Sequence, residues 1–445
     1  MKGFHPWNVS EEATRTHLEL FRKRYASLYQ VKDTFLPETV VAAYLANMLP
    51  GEPIWMIVVG PASSGKTATL DLIRGLDSIH EVSALTEAAL LSGTPTKERG
   101  AEATGGLLCQ IGSFGIILCK DFTTILSSNR DSLLAIVAAF REIHDGHYSR
   151  TLGVEGGRTF SWSGKVGFIG AATEVIDSKQ DTRQQMGERF IMLRPESDIE
   201  NSYQIAKRAL RSNASDAEGI EELKKLTETL TRFFKMPDSL PDLPQEVADH
   251  LASLALIITR ARSTTERHNI SREIENVPQA EEPARLSKQL RMMFFGYLTI
   301  GCTDEEALER VTKLALDSMP LSRKRLLLKL YESNGTPLTR DLAEVLGGAS
   351  KTAIRHLEDL VAYGLVRRID IDSNRASWSL TDMAREHLEA VLAPITSLEA
   401  IPFSDDQQME SRTAIQITPS SINPPKLIPE SRSECREKSR RARAG

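Results

Sequence analysis

The chain has 445 residues, of which 41% are apolar and 26% are charged, and its net charge is −5. These proportions are typical of soluble globular proteins and exclude wholesale disorder, and the length predicts about three domains at roughly 150 residues each. The longest apolar run, Leu133 to Phe140, is too short for a membrane span, which needs about 20 residues. Because the net charge is negative, any contact with DNA requires local basic patches.

The N-terminal region predicts two helices within residues 10–49, the first opening at Ser10 and the second with Pro37 near its start. Acidic residues at Glu11 and Glu12 precede any apolar stretch, which argues against a secretory signal. The four cysteines lie far apart and form no CxxC pair, which excludes a zinc knuckle and a disulfide scaffold. We therefore expect a reducing, cytoplasmic location.

Between Ile54 and Ile191 apolar, strand-like segments alternate with helical ones. This alternation predicts an α/β fold with a mainly parallel sheet. One stretch interrupts it, because residues 149–163 read as two β-rich arms around Glu155–Gly157. We expect a hairpin there, inserted just ahead of the strand KVGFIGAAT.

A phosphate-binding loop is predicted at 60–67, where GPASSGKT fits the pattern GxxxxGK[ST]. The apolar strand Trp55–Val59 leads into it and the helical segment 68–76 follows, which is the context that the motif requires. The glycines let backbone N–H groups surround a phosphate, Lys66 supplies a positive charge to the β- and γ-phosphates of ATP, and Thr67 can bind Mg²⁺. The alternative is a Gly-rich turn with an exposed lysine. The residues assigned to nucleotide binding are Gly60, Pro61, Ala62, Ser63, Ser64, Gly65, Lys66, Thr67 and Ala68.

A second apolar strand ends in an acid within GIILCKDF, residues 115–122. Asp121, at the C-terminal end of a buried strand beside the phosphate loop, is placed to position Mg²⁺. The usual pattern has two acids, one for the metal and one that polarises water, whereas Lys120 precedes Asp121 here. Asp121 is therefore either the metal-side acid without a catalytic partner or the catalytic acid with Lys120 in the metal-side position. A third alternative is that Asp121 only caps the next helix.

After Pro195 the apolar residues recur at three- and four-residue spacing, which predicts an all-α region. In the last helix of this region Thr303 and Glu306 form a capping box. Beyond about Pro394 the chain is rich in Ser, Pro and charge, and we expect disorder because there is too little apolar surface to offset the entropy of ordering. The basic run RRARAG at its end is typical of a solvated tail, with non-specific affinity for nucleic acid as the alternative.

Residues 322–392 predict the order helix, helix, helix, hairpin, helix, which is that of a winged helix-turn-helix. The third helix, beginning with Ser350 as its N-cap, lies in the major groove in this motif, and the hairpin contacts phosphates. Ile354, Leu357 and Leu360 are expected in its core. A protein-binding or purely structural role is the alternative. The residues assigned to DNA binding are Lys351, Thr352, Arg355 and His356 on the third helix and Arg367, Arg368 and Arg375 on the hairpin.

From about residue 30 to 300 the chain resembles the AAA+ ATPases, and among them the branch of the minichromosome-maintenance helicases. The segment 105–122 is similar to that branch throughout, and the match aligns Asp121 with the catalytic acid and Lys120 with the metal-side acid. In that branch a hairpin ahead of the sensor strand lines the DNA channel of hexameric rings, and the hairpin at 149–163 has the same place. The KDFT run, followed by a winged helix, is also similar to a phage or plasmid family of P-loop proteins.

The resemblance implies roles for three further residues. Thr173 has the sensor 1 position, Arg189 in GERF resembles the arginine finger, and Arg285 resembles sensor 2 in the helical lid. An arginine that reaches the γ-phosphate of a neighbouring subunit stabilises transition-state charge only after assembly. The alternatives are an ordinary strand-end hydroxyl for Thr173 and a surface salt bridge for Arg189. The rival candidates for sensor 2 are Arg260, Arg262 and Arg291. The catalytic residues so assigned are Lys66, Asp121, Thr173, Arg189 and Arg285.

Together these features predict an α/β, P-loop AAA+ core with an all-α lid and a C-terminal winged-helix domain. The predicted activity is that of an ATPase that uses ATP and Mg²⁺ and acts on DNA, in replication initiation or helicase-like remodelling. We expect a homo-oligomer, with a ring as one form, and no membrane. The alternatives are an ATP-switched transcription regulator and a P-loop protein that binds nucleotide without hydrolysing it. The predicted domains are an N-terminal helical segment (1–50), the ATPase core (51–198), the lid (199–319), the winged helix (320–393) and the tail (394–445).

Overall fold

The computed structural model describes residues 10–91, 106–152, 158–178, 189–195, 214–268, 270–333, 335–372 and 375–393, together with 203, 206, 207 and 210. The strands are β1 (Trp55–Val59), β2 (Ile79–Val82), β3 (Phe114–Cys119), β4 (His147–Leu152), β5 (Arg158–Ser163), β6 (Lys165–Ala172), β7 (Phe190–Leu193), β8 (Glu266–Arg267), β9 (Ile274–Asn276), β10 (Val366–Asp372) and β11 (Arg375–Leu380). The helices are α1 (Glu11–Tyr29), α2 (Phe35–Met48), α3 (Lys66–Leu70), α4 (Glu87–Leu90), α5 (Leu107–Ile111), α6 (Phe122–Leu126), α7 (Arg130–His144), α8 (Val175–Ser178), α9 (Ala214–Arg232), α10 (Gln245–Arg262), α11 (Ala284–Thr299), α12 (Asp304–Asp317), α13 (Leu321–Glu332), α14 (Thr339–Ala343), α15 (Ser350–Ala362) and α16 (Asp382–Leu392).

The predicted α/β class is confirmed by a five-stranded, all-parallel sheet in the order β2-β3-β6-β1-β7. Strand β6 is central, and β1 lies between it and the edge strand β7, with Val58 paired to Ala171 of β6 and to Leu193 of β7. Every residue of β1 is buried, as expected for a strand of a parallel sheet that is covered on both faces. Because the strands are parallel, their carboxyl ends meet at one end of the sheet, and ligands commonly bind there.

The side chains of β1 alternate between two apolar cores, one on each face of the sheet. Met56 and Val58 belong to the core that contains the N-terminal helices, the α9–α12 region and the C-terminal helices. Trp55, Ile57 and Val59 belong to the core formed with α7 and the β4–β5 hairpin. The predicted hairpin is confirmed, since β4 and β5 pair antiparallel with Tyr148 opposite Trp162. The expected turn at 155–157 lies outside the described residues.

Helix α2 lies deep in the molecule, between the sheet and α11. The approach of α2 and α11 is so close that a Cβ atom at Gly296 would be 2.5 Å from the carbonyl oxygen of Ala42. The buried carboxylate of Glu38 forms ion pairs with Arg22 of α1 and Arg310 of α12, with nitrogen–oxygen distances of 2.9 and 2.8 Å. The helices predicted within the N-terminal segment therefore share one core with the α9–α12 region.

The helix after the phosphate loop is shorter than predicted. Helix α3 ends at Leu70, whereas the sequence pattern extends to residue 76, and turns follow as far as Ser78. Gly75 and Ser78 have positive φ angles, which a helix does not accommodate. The early end lets Ile73 turn into the core and lets the chain enter β2, a half-exposed strand that the sequence pattern did not predict.

The C-terminal unit, defined as residues 321–392, consists of α13, α14, α15, the β10–β11 hairpin and α16, in the predicted order. Its second helix continues into a 3₁₀ turn and ends at Gly347 with a φ angle of 68°, as the glycine predicted. Leu357 and Leu360 are buried as predicted, while Ile354 is only half-buried. Ser350 is the first residue of α15 and not its N-cap, which is Ala349.

Candidate functional site

The phosphate loop leaves the carboxyl end of β1 and is held against the neighbouring strand β6. The backbone N–H of Gly60 donates to the carbonyl oxygen of Ala172 at 3.2 Å. Gly65 has a φ angle of 79°, in the left-handed region that favours glycine, and it begins α3. A Cβ atom at Gly60 would be 3.1 Å from the Ser64 hydroxyl, so the loop is tightly folded on itself. The loop thus combines the predicted strand–loop–helix order with a helix of only five residues.

Lys66 folds back over this loop. Its ammonium donates to the carbonyl oxygen of Gly60 at 2.9 Å, to that of Pro61, and to the Ser64 hydroxyl at 3.3 Å. Burial lowers the pKa of Lys66, while the carboxylates of Asp121 and Glu174 oppose this shift because they stabilise its charged form. The lysine and two carboxylates from two other strand ends therefore share one electrostatic environment.

Asp121 follows β3 and caps the short helix α6. One carboxylate oxygen accepts the backbone N–H of Thr123 at 3.1 Å, and the other accepts the Thr124 hydroxyl at 2.9 Å. The capping alternative is thus observed, but Asp121 is exposed and a carboxylate has about four acceptor sites, so it keeps free capacity. A role in metal binding or catalysis remains compatible with the cap and stays a prediction.

The ammonium of Lys120 is held by two carboxylates. Its ammonium lies 2.6 Å from a carboxylate oxygen of Asp71 and 3.4 Å from one of Glu81. Consecutive residues leaving a strand project to opposite sides, which explains why Lys120 and Asp121 have different partners. Lys120 is engaged as the partner of two acids beside β2.

Thr173 directly follows β6 and is hydrogen-bonded to the segment after β3. Its backbone N–H donates to the Thr123 hydroxyl at 2.9 Å, and the two hydroxyl groups are 3.4 Å apart. The structure therefore brings Thr173, Asp121 and the phosphate loop to the same end of the sheet. Glu174, which comes next, is exposed at this end and was missed by the sequence analysis. Its signal is an acid directly after a predicted buried strand.

The residues present fit a Mg²⁺ ion that is held together with a nucleotide. Mg²⁺ in such sites takes one or two protein oxygens and completes its shell with phosphates and waters. Thr67 is exposed on the first turn of α3 and could supply a hydroxyl oxygen, and Asp121 could supply a carboxylate. Among the described residues there is no group of three His, Cys, Asp or Glu that would hold a metal by itself.

Arg189 lies at the opposite end of the sheet, just before β7. Its guanidinium is buried and donates to both carboxylate oxygens of Asp145, at 2.9 and 3.2 Å. Since Phe190 pairs with Trp55 at the start of β1, about 17 Å of strand separates this level from the phosphate loop. Arg189 is therefore too far away to reach a phosphate on the loop of its own chain, and Gly187 and Glu188 of the same motif lie outside the described residues.

Arg285 lies within electrostatic reach of Arg189, at the end of the sheet opposite Lys66. It opens α11, its guanidinium lies 3.6 Å from a carboxylate oxygen of Glu281, and its charge adds to the effect of burial in lowering the pKa values of His144 and Arg189. The structure thus does not bring this sensor 2 candidate to the phosphate loop of its own chain. The rivals have other partners: Arg260 donates to Tyr363 O, Arg262 to Glu281, and Arg291 to Pro241 O.

At the amino end of the sheet there is also an open cavity with a volume of about 650 Å³. Asp145, the partner of Arg189, is part of its wall, together with Lys165, Lys288 and Arg291. Lys165 donates to the carbonyl oxygen of Leu49 at 2.6 Å, and burial lowers its pKa to about 8. Three acidic and three basic side chains line it, so it has no strong charge of one sign.

Helix α15 presents part of its predicted DNA-binding set to solvent. Lys351 and Arg355 are exposed and Thr352 is half-buried. Toward its C-terminal half the helix is covered by the β8–β9 hairpin, because Arg267 donates to Glu358 and Asp359 at 3.0 and 2.8 Å. The accessible face is therefore the N-terminal half of α15, which is the half that contacts bases in helix-turn-helix proteins.

His356 differs from the expectation of an exposed contact. Its side chain is half-buried, and burial together with the charge of Arg323 lowers its pKa to about 4. The imidazole is therefore neutral near pH 7 and cannot offer a positive charge to a phosphate. Position 356 turns inward because Asp359, one helical turn further on, is drawn to Arg323 of α13 at 2.8 Å.

The three arginines of the β10–β11 hairpin are exposed, and each has a carboxylate partner. Arg367 pairs with Asp382, Arg368 with Asp370 and Arg375 with Asp372, at 2.6–2.8 Å. Exposed ion pairs contribute about 0–1 kcal/mol, so phosphates could compete for these arginines. The hairpin is nevertheless less basic than its arginines alone suggest.

No helix within the described ranges is long and apolar enough to cross a membrane. Neither a scan against models of known protein families nor a search of curated proteins found a match for this chain.

Proposed function

We propose that this chain is an AAA+-like ATPase that binds and hydrolyses ATP with Mg²⁺ and acts on DNA through a C-terminal winged helix. The observation that carries the proposal is the convergence of Lys66, Asp121 and Thr173 at the carboxyl end of one parallel sheet, on three neighbouring strand ends. A lysine on a glycine-containing loop, an acid and a polar strand-end residue are the parts that phosphoryl transfer uses to bind phosphates and metal.

The amino end of the sheet supports hydrolysis in an assembly. Arg189 and Arg285 lie together there, about one strand length from the chain's own phosphate loop. A cationic group in that position can act only on nucleotide that a second copy holds, and an arginine supplied in this way stabilises the charge of the transition state. A homo-oligomer is therefore part of the proposal, with a ring as the arrangement that gives every copy a partner.

The C-terminal unit supports DNA as the partner. A three-helix arrangement followed by a two-stranded hairpin leaves Lys351 and Arg355 exposed on the helix that would enter the major groove. The chain as a whole has a net charge of −5, so binding would depend on these local cations and would weaken with salt.

The test is the ATPase rate of the full chain with and without single- and double-stranded DNA, on a sample sized by light scattering. The proposal predicts Mg²⁺-dependent turnover by an oligomer and a higher rate with DNA. A monodisperse monomer without turnover under all conditions would contradict it.

The second candidate is a transcription regulator whose assembly is switched by ATP. It is favoured by two cations at the β4–β5 hairpin whose side chains the structure describes: Arg150 is bound by Glu87 and Leu91 O, and Lys165, just beyond the hairpin, by Leu49 O. A channel loop of a motor needs cations that are available to DNA. Turnover that is indifferent to DNA, together with nucleotide-dependent binding of duplex, would favour this candidate.

A further inference from the structure

The end of β3 supplies one acid on the side of the phosphate loop, although hydrolysis of ATP needs a group for Mg²⁺ and a group that orients the attacking water. Lys120, the residue before it, is bound by Asp71 and Glu81. Asp121 already accepts two hydrogen bonds from Thr123 and Thr124. A carboxylate whose orientation is fixed in this way is suited to a fixed metal contact.

Glu174 lies where a second carboxylate could act. Strand β6, which precedes it, is hydrogen-bonded to β1 on one side and to β3 on the other. Two residues before Glu174, the carbonyl of Ala172 accepts the N–H of Gly60, the first residue of the loop. One residue before it, Thr173 donates to Thr123. The backbone at 173–174 is thus fixed between the phosphate loop and the segment that contains Asp121.

The side chain of Glu174 is exposed, so water can reach it. Its charge and that of Asp121 both raise the pKa of Lys66 against the effect of burial, so both carboxylates lie within electrostatic reach of that ammonium. Asp121 and Glu174 therefore follow two adjacent strands, β3 and β6, whereas the usual pattern places both acids at the end of one strand.

We infer that Glu174 is the general base of ATP hydrolysis and that Asp121 is the metal-side acid, an inference that rests on the proposed ATPase function. The carboxylate of Glu174 orients a water molecule and accepts its proton while the water oxygen forms a bond to the γ-phosphorus. The bond from that phosphorus to the bridging oxygen breaks, and ADP leaves with both electrons of the bond. The proton then passes from Glu174 to solvent. No oxidant or further reactant is needed.

Substitutions of Glu174 and Asp121 should affect different steps of the reaction. Glu174→Gln should bind Mg·ATP with wild-type affinity and lower kcat about 100-fold or more, because a positioned base contributes about 10²–10⁴. Glu174→Asp keeps the carboxylate and should retain part of the activity. Asp121→Asn should instead raise the Mg²⁺ concentration needed for half-maximal turnover. Glu142→Gln, an exposed acid on α7 away from the loop, is the matched control and should behave as wild type.

ATP affinity would be measured by equilibrium dialysis with radiolabelled ATP, and turnover by phosphate release, on full chains of equal oligomeric state and melting temperature. A Glu174→Gln chain that hydrolyses ATP at the wild-type rate, or that loses ATP affinity together with turnover, overturns the inference and leaves the proposed ATPase standing. A wild-type chain that binds ATP without hydrolysing it also overturns the role of Glu174. A wild-type chain that binds no ATP contradicts the proposed function itself.

Discussion

Arg189 donates to both carboxylate oxygens of Asp145, and the pair lies at the end of the sheet opposite Lys66. The guanidinium is buried while Asp145 is about half exposed. If Arg189 is an arginine finger, as proposed, it must exchange Asp145 for a phosphate of the neighbouring copy when subunits meet. Asp145 would then compete for Arg189, and the two side chains can be tested separately.

Arg189→Ala should bind ATP normally and hydrolyse it poorly, since the transition-state cation is lost while the loop is unchanged. Asp145→Asn is the matched control: it weakens the pair but keeps the arginine, and it should preserve turnover. Mixing Arg189→Ala with Lys66→Ala chains should restore part of the activity, because the two defects can lie at different interfaces. Full-rate hydrolysis by a monomer would count against the assembly.

Loss of Arg189 also has a structural effect that must be separated from the catalytic one. A hydrogen-bonded charge of this kind contributes about 1–3 kcal/mol, so we expect the free energy of unfolding of Arg189→Ala to fall by that amount. Urea denaturation measures it. Turnover assays therefore need a temperature at which the variant is fully folded.

Lys351→Ala combined with Arg355→Ala should weaken duplex binding. If both side chains contact phosphates, the slope of log K against log salt concentration falls by about 2, since each contact contributes roughly 0.9. Arg385→Ala, an exposed arginine on α16, is the matched control. Fluorescence anisotropy across a salt series measures both quantities, and an unchanged slope would exclude these residues from the DNA contact.

The β4–β5 hairpin distinguishes the motor from the regulator. Thr151 and Thr159 face each other across the two strands, with their hydroxyl groups 2.9 Å apart, so an Asn-Gly turn could join them and replace residues 152–158. This keeps Tyr148 and Trp162 in the core. A motor should retain equilibrium DNA binding and lose DNA stimulation of its ATPase. Stimulation that survives the shortened hairpin would favour the regulator.

Gly167 tests the packing of α2 against the sheet. A Cβ atom there would collide with the side-chain amide of Asn47, which binds the backbone of Ile54 just before β1. Gly167→Ala should lower the free energy of unfolding by about 1–3 kcal/mol, the usual cost of overpacking. Gly335→Ala, where nothing lies within 4 Å, is the control and should be neutral. Equal melting temperatures for both variants would contradict this prediction and would show that α2 can shift at this contact at little cost.

The elements predicted correctly are those whose sequence motif lies within a few consecutive residues. The GPASSGKT loop follows a strand, and Thr303 and Glu306 form the expected capping box. Strand β2 was missed because its pattern of half-exposed residues resembles a loop and its pairing with β3 is set by the sheet. The early end of α3 was missed because the apolar spacing continues while Gly75 and Ser78 turn the chain.

The same difference between local signals and tertiary packing applies to the residues of the candidate site. Lys66 was predicted from the GPASSGKT motif, Asp121 from the end of a buried strand and Thr173 from the family resemblance, and all three lie at the same end of the sheet. Arg285 could not be located from its motif, because the end of the sheet that α11 approaches depends on packing between distant helices. His356 has helical spacing suited to an exposed face, but the tertiary contact between Asp359 and Arg323 leaves its own side chain half-buried.

Equilibrium dialysis of the full chain against radiolabelled Mg·ATP is the most direct test of nucleotide binding by the 60–67 loop. The wild type should bind, and Lys66→Ala should bind about 10- to 100-fold more weakly, because hydrogen bonds to a charged group contribute about 1.5–3 kcal/mol. Lys288→Ala, which removes an exposed lysine at the other end of the sheet, should bind as the wild type does. A wild-type chain that retains no ATP, or a Lys66→Ala chain with unchanged affinity, would contradict a phosphate-binding role for this loop.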